Sequence, residues 1–256
     1  MLLAIDVGNT NIVLGCFDNN KIVFRERLST NQQATALEYA SGIKTALDMH
    51  NINKNLIDDA IISSVVPSVT ATLKEAVEKY TGKHVMIIKS GIKTGLSIVI
   101  DNPAQLGSDL VVDAVAGLQE YPVPMIIIDM GTATTLSVIN HKKQYIGGVI
   151  MTGMSVSTDA LVNRTSQLPK ISFEPPKKII GSNTVECMKS GIMYGTACAL
   201  DGMISRIEQE LNASCTVIAT GGLASLIVPL CQKEIILDDD LLLKGLYYIY
   251  QKNKNQ

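Results

Sequence analysis

An apolar run ending in Asp-x-Gly occurs twice in this chain, about half its length apart, and that repetition restricts the fold strongly. In the first copy Leu2-Leu3-Ala4-Ile5 leads into Asp6-Val7-Gly8-Asn9-Thr10-Asn11, and an apolar run from Ile12 to Phe17 follows. In the second, Met125-Ile126-Ile127-Ile128 leads into Asp129-Met130-Gly131-Thr132-Ala133-Thr134-Thr135, and Leu136 to Ile139 follows. Apolar run, small polar turn, apolar run is the signature of two antiparallel strands joined tightly. Each copy continues through a polar turn (Asp18-Asn19-Asn20; Asn140 to Lys143) into a third strand, Ile22 to Leu28 and Gln144 to Ile150. Two such copies in 256 residues predict a duplicated fold with a cleft between the halves. Domain boundaries favour small-molecule sites.

A turn of Gly, Asn and Thr leaves backbone N–H groups and short donor side chains pointing outward, which suits phosphate oxygens. A carboxylate beside it would repel phosphate unless a cation lay between them, so Asp6 implies Mg²⁺ bridging to a nucleotide. Taken alone, the segment reads equally well as a hairpin turn that binds nothing, because short motifs match by chance. Its recurrence at Asp129 favours phosphate. The chain holds no Gly-x4-Gly-Lys-Ser/Thr loop and no Gly-x-Gly-x-x-Gly fingerprint, which excludes the common P-loop and dinucleotide sites. Asp6, Asp109 and Asp129 with two phosphate-suited turns, and no evident covalent nucleophile, fit phosphoryl transfer, where positioning and charge neutralisation carry most of the catalysis.

Between the repeats, Ala36, Tyr39, Ala40, Ile43 and Leu47 are spaced for one face of a helix over 34–50. A strand from Ala60 to Val66 stops at Pro67, a second helix runs on Val69, Leu73, Ala76, Val77 and Tyr80, and Gly82 closes it. His84 to Ile88 reads as the next strand. Asp109 then stands near the start of a helix through Leu118, where the positive helix end favours an ionised carboxylate. On spacing alone Asp109 is a helix cap.

Past the second hairpin, Gly147-Gly148 and Gly153 predict close turns, and residues 163–183, with Pro169, Pro175 and Pro176, predict a surface loop. The longest helical pattern runs from Thr184 to Leu211. Gly191, Gly195 and Gly202 weaken it but permit a partner's close approach. A strand at Thr216–Thr220, a Gly221-Gly222 turn into a helix, a strand at Glu234–Leu237 and a helix from Leu241 to about Gln251 complete the chain, with residues 252–256 expected to fray.

Net charge −2 gives no case for nucleic acid or an anionic membrane as partner. No apolar run approaches a membrane span and the first is interrupted at Asp6, so the expected location is the cytoplasm. The five cysteines form no C-x-x-C pair, which predicts reduced thiols and no zinc site.

Asp-x-Gly-Asn-Thr-Asn at 6–11 followed by Asp-x-Gly-Thr-Ala-Thr-Thr at 129–135 resembles the type III pantothenate kinases, of the actin-like, sugar-kinase and heat-shock ATPase superfamily. The resemblance runs from Asp6 to the closing Gly245–Tyr250 stretch. It implies an α/β fold of two similar ribonuclease-H-like domains with mixed sheets, here 1–118 and 119–256, and ATP-dependent phosphorylation of pantothenate to 4′-phosphopantothenate. By resemblance, Asp6, Val7, Gly8, Asn9, Thr10, Asn11, Ile12, Val13 and Thr132 bind ATP. Asp6 holds Mg²⁺ through phosphate or water, and Asp129 binds a monovalent cation, K⁺ or NH₄⁺. The family's Gly-x-Asp-Arg substrate motif corresponds to Gly107-Ser108-Asp109-Leu110, with Asp109 as general base and Leu110 where the family has Arg. The Gly-Gly turn at 221–222 lies against adenine or ribose in the superfamily. The resemblance further implies a homodimer, with Thr184 contributing to the substrate pocket at the subunit interface. A weak ATP-binding regulatory relative, or a superfamily kinase for another small hydroxylated substrate, are the alternatives.

Overall fold

The computed structural model describes residues 1–254, which form two compact units, each built on its own sheet. The first contains residues Met1–Leu96, Asn102–Ala116 and the chain from Leu241 onward; the second contains Ser97–Asp101 and Gly117–Asp240.

In the first unit, β1 (Leu2–Val7), β2 (Asn11–Asp18), β3 (Lys21–Ser29), β4 (Asp59–Ser64) and β5 (Val85–Ile87) form a sheet of order β3-β2-β1-β4-β5. The central β1 is antiparallel to β2 and parallel to β4. Apart from Asp6, its residues are apolar without alternation because both its faces are covered. Leu3, Ile5 and Val7 pack with Tyr39, Ile43 and Leu47 of α1 (Ala36–Met49) and Val69, Leu73 and Val77 of α2 (Pro67–Thr81). Leu2 and Ala4 pack on the opposite face with Val112 and Val115 of α3 (Ser108–Glu120). Strand alternation puts Asp6 on that second face, at the end of the strand nearest the turn. Helix α1 begins with a capping box between Thr35 and Glu38, and α2 ends on Gly82 in the left-handed conformation, as its position predicts.

The second unit repeats this plan. Its strands β6 (Ser97–Ile98), β7 (Met125–Met130), β8 (Ala133–Ile139), β9 (Gln144–Thr152), β10 (Thr216–Thr220) and β11 (Ile236–Leu237) lie in the order β11-β10-β7-β8-β9-β6. Central β7 is antiparallel to β8 and parallel to β10, as β1 is to β2 and β4. Asp129 is the fifth residue of six in β7, as Asp6 is in β1. Ile126, Ile128 and Met130 face Met154 of α4 (Met154–Asn163) and Met193, Ala197, Leu200 and Ile204 of α5 (Thr184–Leu211). A single turn, α6 (Ala224–Ile227), follows β10.

Several local expectations change. Gly147 and Gly148 lie inside β9, opposite Val138 and Ser137, and the register shift beside them leaves Ile146 as the bulged residue; a Cβ at Gly148 would collide with the Leu136 carbonyl, so this glycine permits close strand packing and does not make a turn. Helix α4 falls in a stretch with no expected element, because Ser155, Ser157, Thr158 and Asp159 leave little apolar periodicity. Helix α5 runs 28 residues unbroken through its three glycines. The expected Glu234 strand is reduced to Ile236–Leu237.

The closing helix α7 (Leu241–Asn253) belongs to the first unit, whereas the sequence division at 118 gives it to the second half. Leu243, Leu246 and Ile249 join Leu2, Ala4 and Phe17 in the core on the Asp6 face of the sheet. Two glycines permit the approach. A side chain at Gly15 would meet Leu243, and one at Gly245 would collide with the main chain of Val112 in α3. Fraying is also corrected for Lys252 and Asn253: Lys252 Nζ donates to Thr94 O, and buried Asn253 donates to Lys93 O. Asn255 and Gln256 lie outside the described residues.

Candidate active site

In the first unit the turn from Gly8 to Asn11 closes on itself, with Gly8 N donating to Asn11 O at 3.0 Å. Asn9, Thr10 and Asn11 are exposed. Val7 and Ile12 are buried in the α1/α2 core, so of these two only main-chain atoms are available to a ligand. Val13 pairs with Asp6 across β1/β2 and shares its face. Asp6 itself is 7% exposed, low enough that a bare carboxylate there calls for compensating positive charge or hydrogen bonds.

Register brings the expected substrate motif to the same place. Asp6 pairs with Ser63 of β4, and Ser63 Oγ donates to Ser108 Oγ at 3.0 Å, while Ser108 Oγ donates to Ser64 O at 3.1 Å. The start of α3 is thereby pinned to the end of β4, beside the Asp6 strand. Ser108 thus spends its hydroxyl on this anchor. Next to it, Asp109 Oδ1 accepts from Leu110 N at 2.8 Å. Burial pushes the Asp109 carboxyl above its ordinary range, against the lowering pull of hydrogen bonds from the Leu110 and Asp109 main chain. Gly107 makes room for the group, since a Cβ there would collide with Asp109 Oδ1. With Asp109 as the base that the resemblance implies, Gly107→Ala is expected to lower kcat roughly 10-fold by displacing its carboxylate, and to cost nothing further in an Asp109→Asn background. Additive losses in the double variant would refute the coupling.

In the second unit the hairpin connection is one residue shorter: Val7 pairs with Ile12 in the first unit, but Met130 pairs with Thr134 here. Gly131 N donates to Ala133 O at 3.0 Å, and Thr132 is exposed at the tip. Asp129 pairs with Thr135 and Thr220. Its carboxylate sits in a cradle of main chain. A Cβ at Gly221, whose φ is +96°, would lie 2.5 Å from Asp129 Oδ1 and 2.6 Å from Met130 N, and one at Gly131 would lie 3.7 Å from Oδ2. The Gly-rich turn therefore backs the Asp129 carboxylate. Thr184 opens α5 and is exposed, directly after Asn183, whose Oδ1 accepts from Glu186 N.

Among the described residues no group of three or more His, Cys, Asp or Glu could cage a metal ion. Mg²⁺ usually takes one or two carboxylates plus substrate phosphates, and a single carboxylate beside an exposed Gly-Asn turn fits that mode. At Asp129 the carboxylate, beside the space that Gly221 leaves open, is the group that would hold a monovalent cation. No helix among the described residues is long and apolar enough to cross a membrane.

Three further residues contribute to these candidate sites. Ser63 is visible only through strand register. Gly153, a turn signal in the sequence, caps the start of α4 and lies so close to the second hairpin that a Cβ would collide with Thr132 O. Thr30, just past β3, hydrogen-bonds the first hairpin.

The duplicated sheet, with an Asp on each central strand just before a Gly-containing hairpin, is a fold shared with solved sugar kinases. The fold matches that of a ROK family glucokinase from Streptomyces griseus solved with glucose and AMPPNP (TM-score 0.50, 12% identity, 100% of this chain and 99% of that one). A family model described as type III pantothenate kinase matches residues 2–206. The type III pantothenate kinase of Halalkalibacterium halodurans is 46% identical over 253 residues, 99% of this chain and 100% of that protein. That of Bacillus cytotoxicus is 43% identical, covering 99% of this chain and 97% of that protein. The chain belongs to the type III pantothenate kinase family.

Proposed function

We propose that this protein transfers the γ-phosphoryl group of ATP to the primary hydroxyl of pantothenate, giving ADP and 4′-phosphopantothenate, the first step of coenzyme A synthesis. The reading is supported by the chain's membership of the type III pantothenate kinase family and by the Asp109 carboxylate, held by Leu110 N at the start of α3 beside the Asp6 strand. Asp109 accepts the hydroxyl proton as the substrate oxygen forms its bond to the γ-phosphorus. The bond from that phosphorus to the β–γ bridging oxygen breaks, and ADP leaves. Gly8 to Asn11 bind β- and γ-phosphate oxygens through main-chain N–H groups and short side chains, and Thr132 supplies a further phosphate contact. Asp6 would hold Mg²⁺ through phosphate or water, and Asp129 a monovalent cation, K⁺ or NH₄⁺. When bound, these cations neutralise phosphate charge. Gly107 and Leu110 border the substrate beside Asp109.

The reading includes a homodimer formed through α5. Gly191, Gly195 and Gly202 lie on an exposed face, and a Cβ at any of them would meet nothing within 4 Å, so a second helix can approach the backbone closely. Thr184, at the start of that helix, would serve the neighbouring subunit's pocket. Sedimentation of the purified protein is expected to give a dimer; a monomer at micromolar concentration would rule out the shared pocket.

A coupled ADP-release assay with ATP and a panel of hydroxylated acids and sugars tests the activity. Turnover with pantothenate alone is expected. Turnover with another member of the panel would assign a different substrate, and none at all would point to a regulatory relative, with Leu110 in place of Arg as the first residue to restore.

A further inference from the structure

Thr30 lies just beyond β3 and makes two hydrogen bonds to the Gly8–Asn11 turn: Oγ1 donates to Gly8 O at 2.7 Å, and its N–H donates to Thr10 O at 3.0 Å. It is held from behind. The hydroxyl of Tyr39, buried in α1, accepts from Asn31 N at 3.1 Å and donates to Asn31 O at 2.7 Å. Helix α1 therefore reaches the turn through Asn31 and Thr30.

We propose that Thr30 is a positioning residue that aims the turn's amide groups at the phosphates of the nucleotide. The inference rests on the reading of Gly8–Asn11 as the phosphate site. In a planar trans peptide the N–H points opposite to the C=O, and the Gly8–Asn9 bond is not cis. With Gly8 C=O drawn to Thr30, Asn9 N–H faces the other way, out of the turn. Gly8 N–H is already used within the turn, so Asn9 N–H is the amide that Thr30 leaves directed outward.

The second unit supplies an internal comparison. Ser29 pairs with Asn11, and Thr152 pairs with Ala133, so Thr30 and Gly153 hold matching positions one residue past the third strand. At Gly153 the main chain itself abuts Thr132 O and Gly131 O, with no space for a Cβ. Both hairpins are buttressed from the same position, one by a hydroxyl and the other by bare backbone. In the first unit the side chain is thus a requirement of the turn's geometry.

The test titrates Mg·AMPPNP into the full-length protein and its Thr30→Val, Thr30→Ala and Thr30→Ser variants, with KM for ATP and pantothenate and the Tm measured in parallel. Thr30→Val and Thr30→Ala are expected to weaken AMPPNP about 10-fold, the usual scale of one lost hydrogen bond to an oriented group. KM for pantothenate should stay within about 2-fold, and Thr30→Ser should bind nearly as wild type because it keeps the donor. The proposal fails if Thr30→Val and Thr30→Ala bind AMPPNP as wild type does, whatever their Tm. It fails equally if Thr30→Ser is as weak as they are. An Asn9→Pro variant, which removes the Asn9 amide N–H, separates the two layers. Unchanged AMPPNP affinity there as well as in Thr30→Val overturns the phosphate reading itself; unchanged affinity in Thr30→Val alone overturns only the positioning role.

Discussion

Asp109→Asn is expected to bind ATP as wild type does while kcat falls by about 10²–10⁴-fold, the range associated with loss of general-base help. The variant isolates proton acceptance because the amide oxygen of Asn can take the same hydrogen bond from Leu110 N. Asn also satisfies helix N-termini nearly as well as Asp, so a purely structural role at the start of α3 predicts unchanged turnover. Stability separates the two further. The Asp109 carboxyl is raised by burial, so the folded state holds its proton more tightly than the unfolded chain. Its contribution to stability is then fully present below the unfolded carboxyl pKa and is lost as pH rises through the raised folded value. Above that raised value the charged group is a burden on the fold, and there Asp109→Asn should melt at the same temperature as wild type or higher. Loss of kcat with equal or greater Tm supports the base; near-wild-type kcat removes Asp109 from the chemistry. Wild-type kcat should also fall as pH drops through that raised carboxyl value, and the variant should lack this limb.

The sequence made the duplicated hairpins legible because both depend on local patterns: four apolar residues, Asp, a Gly-bearing turn and a second apolar run. Asp6 and Asp129 accordingly occupy matching strand positions. Matters decided by register or by distant packing were not legible. Ser63 joins the site only because β4 pairs with β1 so as to place it beside Asp6, and nothing in its own neighbourhood marks it. The apolar spacing of α7 shows that one face is buried, but not which sheet receives it. That depends on Gly15 and Gly245, each far from the other in sequence, letting α7 onto the Asp6 face. Helix α4 was hidden by its hydroxyl-rich composition, with Thr158 bonding back to Met154 O and only Met154 and Thr158 buried. The Gly-Gly signal at 221–222 was visible, but a strand-to-helix turn needs glycine anyway. Its contact with Asp129 emerges only once β10 is paired with β7.

That contact leads to the second large effect, at Gly221. Gly221→Ala is expected to reduce kcat by on the order of 10²-fold and to erase the difference between K⁺ and Na⁺ buffers, a difference expected to favour K⁺ or NH₄⁺ strongly in the wild type. Two strains act together. The backbone at φ +96° disfavours any Cβ, and the added methyl would press on Asp129 Oδ1 and on Met130 N. The strand cannot retreat, because Thr220 and Asp129 are paired in the middle of the sheet, so the carboxylate must turn away. A displacement near 1 Å at a charge-binding group is enough for a loss of this size. The comparison of cations at matched ionic strength distinguishes a damaged cation seat from general destabilisation. A variant that is merely less stable would lose active fraction equally in both buffers and keep the K⁺ to Na⁺ ratio of the wild type. Equal wild-type rates in K⁺ and Na⁺ would remove the monovalent site at Asp129 altogether. Gly131→Ala provides the graded control: its Cβ would lie 3.7 Å from Oδ2, ordinary contact distance, so a much smaller loss is expected there. A loss at Gly131 as large as that at Gly221 would mean that the turn, and not the carboxylate, is what the substitutions disturb.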